Sequence, residues 1–407
     1  MNDKHPIKKW QVFFACSLIS ISLASVFMLQ PILRLLSIDF GIEQNSADSA
    51  FVSVSLAYAI AFLMLGPLAD QFNRLHLSLV STLLLAIAIF IATFSHTITQ
   101  LSFMMVLVGI FSAITVSAMF PLVGQLADKQ DLGKYMGYCL SATILGILVG
   151  RFLLGIIGEH YGWRTGFNCI AVLVLLLSGT LQVLFRLAPN TRQTITPTKN
   201  NLLQAYRNIG VILRQPDVFT MMQSGILLFI AYIGVLTFQT HYLSGSSFQY
   251  SADLIGMMSL SGLLAVFMSP VAGALANRWG AKRVSACGLL IVAAAILLFY
   301  LANTILLFSI ANALLYLGVY ISQPAIFYRI SRAVDASTQG TASALYLFCC
   351  LGAGSLSVYA LRFVWANFQW SGVIAIALIC TLFALIISIN GVSNLIGYFK
   401  HKPGATS

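Results

Sequence analysis

The sequence predicts an all-α membrane protein with twelve transmembrane helices in two pseudo-symmetric six-helix bundles, and three observations carry that expectation. Of 407 residues, 59% are hydrophobic and only 8% charged, with a mean hydropathy of +0.91, whereas soluble chains carry roughly 25% charged residues. Apolar runs close to the roughly 20 residues needed to cross a hydrocarbon core of about 30 Å recur along the whole chain. A polar loop that closes the second run returns at the close of the eighth, from Gly66 to Gly273, 207 residues on. Lipid allows a spanning backbone only the helix or the closed barrel, and the alternating ten-residue segments of a barrel are absent.

In chain order, span one is expected at 11–33, behind Lys4, Lys8 and Lys9. Its run is too long for the core of a signal peptide and no clear small-residue cleavage site follows, so it reads as a retained span. Spans two to four follow at 47–69, 76–95 and 100–123. Span five, 136–158, is rich in glycine, and span six, 165–185, closes an N-terminal bundle of residues 1–185. Residues 186–216, the longest polar stretch, carry Pro189, Pro197 and Pro216 as breakers and read as a cytoplasmic linker. The C-terminal bundle, 217–407, repeats the plan at 217–242, 253–275, 284–302, 304–327, 341–363 and 371–393, then ends in a short tail.

The formal net charge of +11 is explained by placement, and no nucleic-acid partner is expected. On this topology 18 of the 22 Lys and Arg fall on one side of the membrane, so the positive-inside rule puts both termini and the linker in the cytoplasm. The seven cysteines all sit inside expected spans with no C-x-x-C pair, which argues against disulfide or metal chemistry. The six histidines are dispersed, and neither an H-E-x-x-H helix nor paired mid-span carboxylates occur, so the chain is not expected to be an enzyme.

The repeated loop reads Gly66-Pro67-Leu68-Ala69-Asp70-Gln71-Phe72-Asn73-Arg74 after span two. After span eight it reads Gly273-Ala274-Leu275-Ala276-Asn277-Arg278-Trp279-Gly280-Ala281-Lys282-Arg283. The glycine allows close helix approach, the acid can face the positive end of a neighbouring helix, and the basic residues hold the cytoplasmic face. The pair resembles the loops after spans two and eight of the major facilitator superfamily, approximately G-x-L-A-D-R-x-G-R-R. The resemblance covers the whole chain in span count and linker position, and implies the major facilitator fold. It also implies a cytoplasmic gate formed by Gly66, Asp70, Arg74, Gly273, Asn277, Arg278, Gly280, Lys282 and Arg283. Gln71 and Asn73 replace the usual Arg and Gly, and Asn277 replaces the second acid, so the gate is expected to lean on Asp70.

Span five carries Gly137, Gly146, Gly150-Arg151 and Leu154-Gly155, small residues suited to close packing. It resembles the antiporter motif of the drug-efflux branch, G-x8-G-x3-G-P-x2-G-G, with Arg151 for the proline and Leu154 for a glycine. Together with Glu159-His160-Tyr161-Gly162-Trp163-Arg164, Gln30-Pro31-Ile32-Leu33 and Leu345-Tyr346-Leu347-Phe348, it is similar to bacterial drug:proton antiporters and arabinose-efflux-type permeases. The resemblance implies a monomeric, multi-pass inner-membrane carrier that exports a small-molecule drug or metabolite by alternating access, driven by the proton gradient with no cofactor. Two alternatives stay open: proton-coupled uptake of a small neutral or anionic metabolite, and a transporter-like sensor.

Ionisable groups at membrane depth are costly and functional by default. Arg34 and Arg362 can snorkel to the outer interface, but Arg151 has about seven residues, or ~10 Å, still to go. All eleven acids fall at loops or span ends, so no mid-span carboxylate offers a proton relay, and Asp39, Glu159 and His241 are the candidates for proton coupling. The family arrangement makes Gln30, Arg34, Tyr58, Arg151, Tyr232, Gln239, His241, Tyr242, Asn312, Tyr316, Tyr320 and Gln323 the substrate-cavity candidates. Gln30 and Gln239 are expected to be symmetry partners. Met105 stands where the family has a span-four arginine, a charge Arg151 would supply. Cationic Arg34 and Arg151 without a mid-span acid favour neutral, zwitterionic or anionic solutes.

Overall fold

The structure is a computed structural model that describes residues 9–69, 72–126, 132–186, 209–245, 248–334 and 339–390. Asp70, and the expected linker from 187 to 208, lie outside the described residues. Helix α1 begins as Lys9–Phe27, passes a 3-10 turn at Gln30–Ile32 and finishes as Leu33–Phe40. Pro31 sits at the break and has no N–H to give to the ladder. The helix outlasts the expected end at 33, because Arg34, Ser37 and Asp39 end the apolar run without ending the helix. Gly41, at φ 63°, ends it by turning its N–H onto the Ile38 carbonyl.

The next five helices are α2 (Gln44–Ala69), α3 (Arg74–Ala92), α4 (Ile98–Leu126), α5 (Leu132–Tyr161) and α6 (Trp163–Arg186). Asn73 caps α3, its side-chain oxygen accepting from the N–H groups of Leu75 and His76 at 3.1 and 3.3 Å. Standing where the family pattern has glycine, it satisfies helix-end donors that glycine cannot. Helix α7 is Pro216–Ser244; α8 comprises Ala252–Ser259, a 3-10 turn at Leu260–Gly262, and Leu263–Leu275. Helix α9 is Ala281–Leu301 and α10 is Ile305–Ala333. Helices α11 (339–368) and α12 (370–390) divide the stretch Gln339–Asn390.

Among the described residues ten stretches are long and apolar enough to cross a membrane, and two of them, Ala252–Leu301 with 50 residues and Thr341–Ile389 with 49, exceed twice the ~20 residues of one crossing. Both fold back. Between α8 and α9 a π-helical turn, Ala276–Gly280, ends on Gly280 at φ 92°. Between α11 and α12, Gln369 takes φ 53°, ψ −147°. Side chains fix the direction of the return: Trp370 Nε1 donates to the Phe299 carbonyl at 3.3 Å, and Ser388 bonds Ser285 at 2.8 Å. Helix α12 therefore runs antiparallel to α9, and ten stretches make the twelve expected crossings.

One face of the bundle carries the start of α1, Arg74 at the start of α3 and the turn Ala276–Gly280; the opposite, distal face carries Gly41, Gly162 and Gln369. At the seam between the six-helix sets, α2 lies along α11 and α5 along α8. The glycines of α5 make these approaches possible: a Cβ on Gly150 would stand 2.5 Å from the Ala24 carbonyl oxygen of α1, and one on Gly155 3.0 Å from the Gly256 Cα of α8. Large apolar side chains such as Phe90, Phe103, Leu176, Leu297 and Phe383 are exposed around the circumference, as suits a protein whose surrounding solvent is lipid.

Candidate functional site

Breaks in two helices bring polar groups to the middle of the seam. Gln30 lies in the 3-10 turn that interrupts α1, and Ser259 ends the first segment of α8. Arg151, on the glycine stripe of α5, is 1% exposed. Its Nη1 donates to Gln30 Oε1 at 2.5 Å and its Nε to Ser259 Oγ at 2.7 Å. Gln30 Nε2 then donates to Thr237 Oγ1 of α7 at 3.1 Å. Three bonds thus join four helices from both bundles around one buried positive charge. Among the described residues no carboxylate forms an ion pair with Arg151, so its charge is solvated by neutral dipoles alone, a costly arrangement in a low-dielectric interior.

Beside this cluster, buried Tyr232 meets Tyr316 and Tyr320 edge-on, with ring centroids 5.8 and 6.4 Å apart. Tyr316 also packs against the Gly262 backbone of the α8 turn. Gln239 and Asn312 are 1% and 2% exposed, and Gln239 Oε1 and Asn312 Oδ1 have no hydrogen-bond partner among the described residues. Unmet buried polar atoms are rare in folded proteins, and here two lie on α7 and α10, the helices that carry Tyr232 and Tyr316. The sequence candidates Gln30, Arg151, Tyr232, Gln239, Asn312, Tyr316 and Tyr320 are therefore all buried on helices lining the seam. Tyr58 is buried against Phe62, with rings 5.9 Å apart. Arg34 and Gln323 are half-buried and make no side-chain hydrogen bond to the cluster.

A second polar group closes the distal end of the seam, and the sequence reading missed its centre. Asp48, in the second turn of α2, is completely buried; His241 Nε2 of α7 lies 2.8 Å from its Oδ1 and Arg362 Nε of α11 3.5 Å from its Oδ2. A place near a span end had suggested a solvated acid. Asp48 is instead on the buried stripe with Phe51, Val52 and Ser55, a helical spacing that could have revealed it. Arg362, expected to snorkel outward, is drawn in by this carboxylate and lies 4.7 Å from the Tyr359 ring. Gln44 donates to Ser244 across the same gap at 2.8 Å.

Three candidates have other surroundings. Asp39 accepts from Arg164 at 2.7 Å and from Trp163 at 3.1 Å, a half-exposed tie between the end of α1 and the start of α6. Exposed Glu159 accepts from the Ala252 N–H at 2.9 Å, capping α8. Tyr242 stacks on Trp370 at 5.1 Å and 7°, amid Phe248 and Phe308; it packs α7 against α12 and does not reach the central cluster.

Of the repeated loops, Asp70 is outside the described residues, while Arg74 is buried at the start of α3. In the second copy Asn277 accepts from the Tyr328 hydroxyl at 2.9 Å, beside a cleft of about 360 Å³ that Gly280, Asp217, Arg329 and Arg332 also line. Asn277 thus ties the loop to α10 by a neutral bond.

A family model described as Major Facilitator Superfamily matches residues 15–358 and 243–403. The chain is 27% identical over 358 residues to the putative uncharacterized transporter YgaY of Escherichia coli (strain K12), covering 87% of this chain and 88% of that one. It is 26% identical to the inner membrane transport protein YnfM of the same organism, over 89% and 86% of the two chains. An uncharacterized MFS-type transporter, YybF of Bacillus subtilis (strain 168), is 22% identical over 90% and 89%. Among solved structures, a bacterial homologue of the human lysosomal transporter Spinster, inward-facing and unoccupied, superposes with a TM-score of 0.69 at 14% identity, covering 95% and 98%.

Proposed function

The chain belongs to the major facilitator superfamily and is a secondary transporter of the multi-pass membrane class, and from that premise we propose that it exports a small anionic or zwitterionic solute in exchange for protons. The observation that carries the solute class is Arg151, a buried cation bonded, among the described residues, only to neutral groups. An incoming carboxylate, phosphate or sulfonate would supply the missing counter-charge in a desolvated setting where charge-assisted hydrogen bonds are strong. The partnerless oxygens of Gln239 and Asn312 would accept from an ammonium or hydroxyl on the same solute, and the tyrosines of α7 and α10 would pack its apolar part. Protonated Asp39, Glu159 or His241 has been the sequence-based choice for coupling; of these His241 alone lies buried at the seam.

Export is favoured by the glycine stripe of α5, which resembles the efflux branch, and the charge asymmetry puts the basic face in the cytoplasm. The test uses purified protein and a panel of matched anionic, zwitterionic, neutral and quaternary ammonium compounds, ranked by thermal shift, since a ligand of the folded state raises apparent stability. Anionic or zwitterionic hits lost in Arg151→Ala support the proposal; quaternary ammonium hits insensitive to Arg151→Ala overturn it. Hits are then loaded into oriented vesicles with an imposed pH gradient. Extrusion driven by inward protons supports export, and accumulation with protons makes the protein an importer.

A further inference from the structure

We infer that Asp48, with His241 and Arg362, is a proton-binding latch: it holds the distal side shut while Asp48 is charged and releases it when the carboxylate takes up a proton. This rests on the alternating-access reading above but not on the identity of the solute. Three observations point to it. Asp48 belongs to the first six helices and both of its partners to the last six, so the contact spans the surfaces that must part when the distal side opens. The acid and the imidazole are nearly dry: Asp48 and His241 side chains are 0% and 2% exposed, and Phe238 and Trp365 pack on the imidazole, while the Arg362 side chain that reaches in is 25% exposed. The ion pair with Arg362 also exists only while Asp48 is charged. A proton on Asp48 removes the counter-charge of Arg362 and competes with the bond to His241, leaving a guanidinium facing a neutral acid.

The surrounding groups leave Asp48 as the responsive element. Among the described residues, Asp39 on α1 is held by Arg164 and Trp163, and Tyr359 on α11 lies beneath the Arg362 guanidinium. Glu43 before α2 and Arg34 on α1 form no ion pair with the trio, and Asp253 on α8 faces His160 at 3.5 Å. Tyr316 and Tyr320 on α10 face Tyr232. His241 Nδ1 has no hydrogen-bond partner among the described residues, so the Asp48 contact is the one polar tie of the imidazole there. His241 stands one turn beyond Thr237 on α7, and Thr237 accepts from Gln30, which accepts from Arg151. Parting Asp48 from His241 therefore pulls on the helix turn that supports the central charge.

The experiment places nitroxide labels at Ser46 and Asn367, exposed positions flanking the latch on α2 and α11, in protein whose native cysteines are replaced. Pulsed electron resonance then reads the distance distribution from pH 8 to pH 5 without any solute. The expected result is a longer distance whose population rises as pH falls, by up to about tenfold per pH unit for a one-proton switch. Asp48→Asn, which imitates the protonated acid, is expected to populate the longer distance at every pH. Should Asp48→Asn fail to fold, Arg362→Gln removes the counter-charge that holds charged Asp48 across the seam and is expected to populate the longer distance already at pH 8. A wild-type distribution unchanged by pH, or an unaltered pH response in a folded Asp48→Asn or Arg362→Gln protein, overturns the latch. Either result leaves the solute assignment to be judged by the ligand panel, and failure of that panel leaves the distance measurement intact.

Discussion

Gln30 and Thr237 stand 207 residues apart and share a hydrogen bond of 3.1 Å, and 207 is also the spacing from Gly66 to Gly273. Residues one repeat apart touch only where the axis relating the two halves passes, so this bond marks the pseudo-twofold axis at the centre of the seam. The sequence had paired Gln30 with Gln239, two residues too far along. Thr237→Val keeps the shape and removes the acceptor, leaving the Gln30 amide buried and unmet. A loss of about 1–2 kcal/mol is expected, read as a lower thermal midpoint in detergent, with Thr237→Ser close to wild type. Equal midpoints in all three proteins would count against the bond.

Replacing Arg151 separates charge from geometry. Arg151→Met removes a buried cation with no anionic partner and is expected to fold at least as stably as wild type, while losing transport. Arg151→Lys keeps the charge but loses the fork that reaches Gln30 and Ser259 at once; about tenfold weaker solute binding is expected, with the anionic preference retained. Ligand titration beside thermal unfolding reads both. Unfolded Arg151→Met beside normal Arg151→Lys would make the residue a strut.

At Gly150 a single methyl is expected to be too large. It would meet both the carbonyl oxygen and the Cα of Ala24, rigid backbone atoms that cannot rotate away. Gly150→Ala should therefore destabilise by about 1–3 kcal/mol as overpacking does, whereas Gly179→Ala, with open space around it, should be neutral or mildly stabilising in thermal unfolding.

Gln369 is the reverse case. Its φ of 53° and ψ of −147° lie in territory that only glycine enters without strain. Gln369→Gly is expected to raise stability by about 1 kcal/mol, and Gln369→Val to lower it, with the thermal midpoint as readout. The opposite order would place the α11–α12 reversal elsewhere.

How far these features were legible before the fold differs from residue to residue. The twelve crossings could be read because lipid imposes length and apolarity on each one, and Arg151 stood out as a charge inside such a run. Asp48 did not, since it stands at the very start of the run expected at 47–69, behind Gln44-Asn45-Ser46 and before Ser49, and only packing against α7 and α11 buries its carboxylate. For Glu159 the acid itself was visible in the sequence, but its partner, the Ala252 N–H at the start of α8, lies 93 residues away and only the fold brings them together. Thr237 and Ser259 are common helix residues, and what distinguishes them is the position of their partners in space.

The meeting of Gly155 with Gly256 has a mechanical meaning. Here α5 and α8 touch backbone to backbone, with the Gly256 position also against the Arg151 carbonyl. Interlocked side chains would resist rocking as cogs do, because each must leave one notch before finding the next. Two bare glycines present no teeth. They form a smooth axle beside the central charge, so tilting one half against the other meets little friction at the pivot, and the work of switching is concentrated in the polar contacts at the rim.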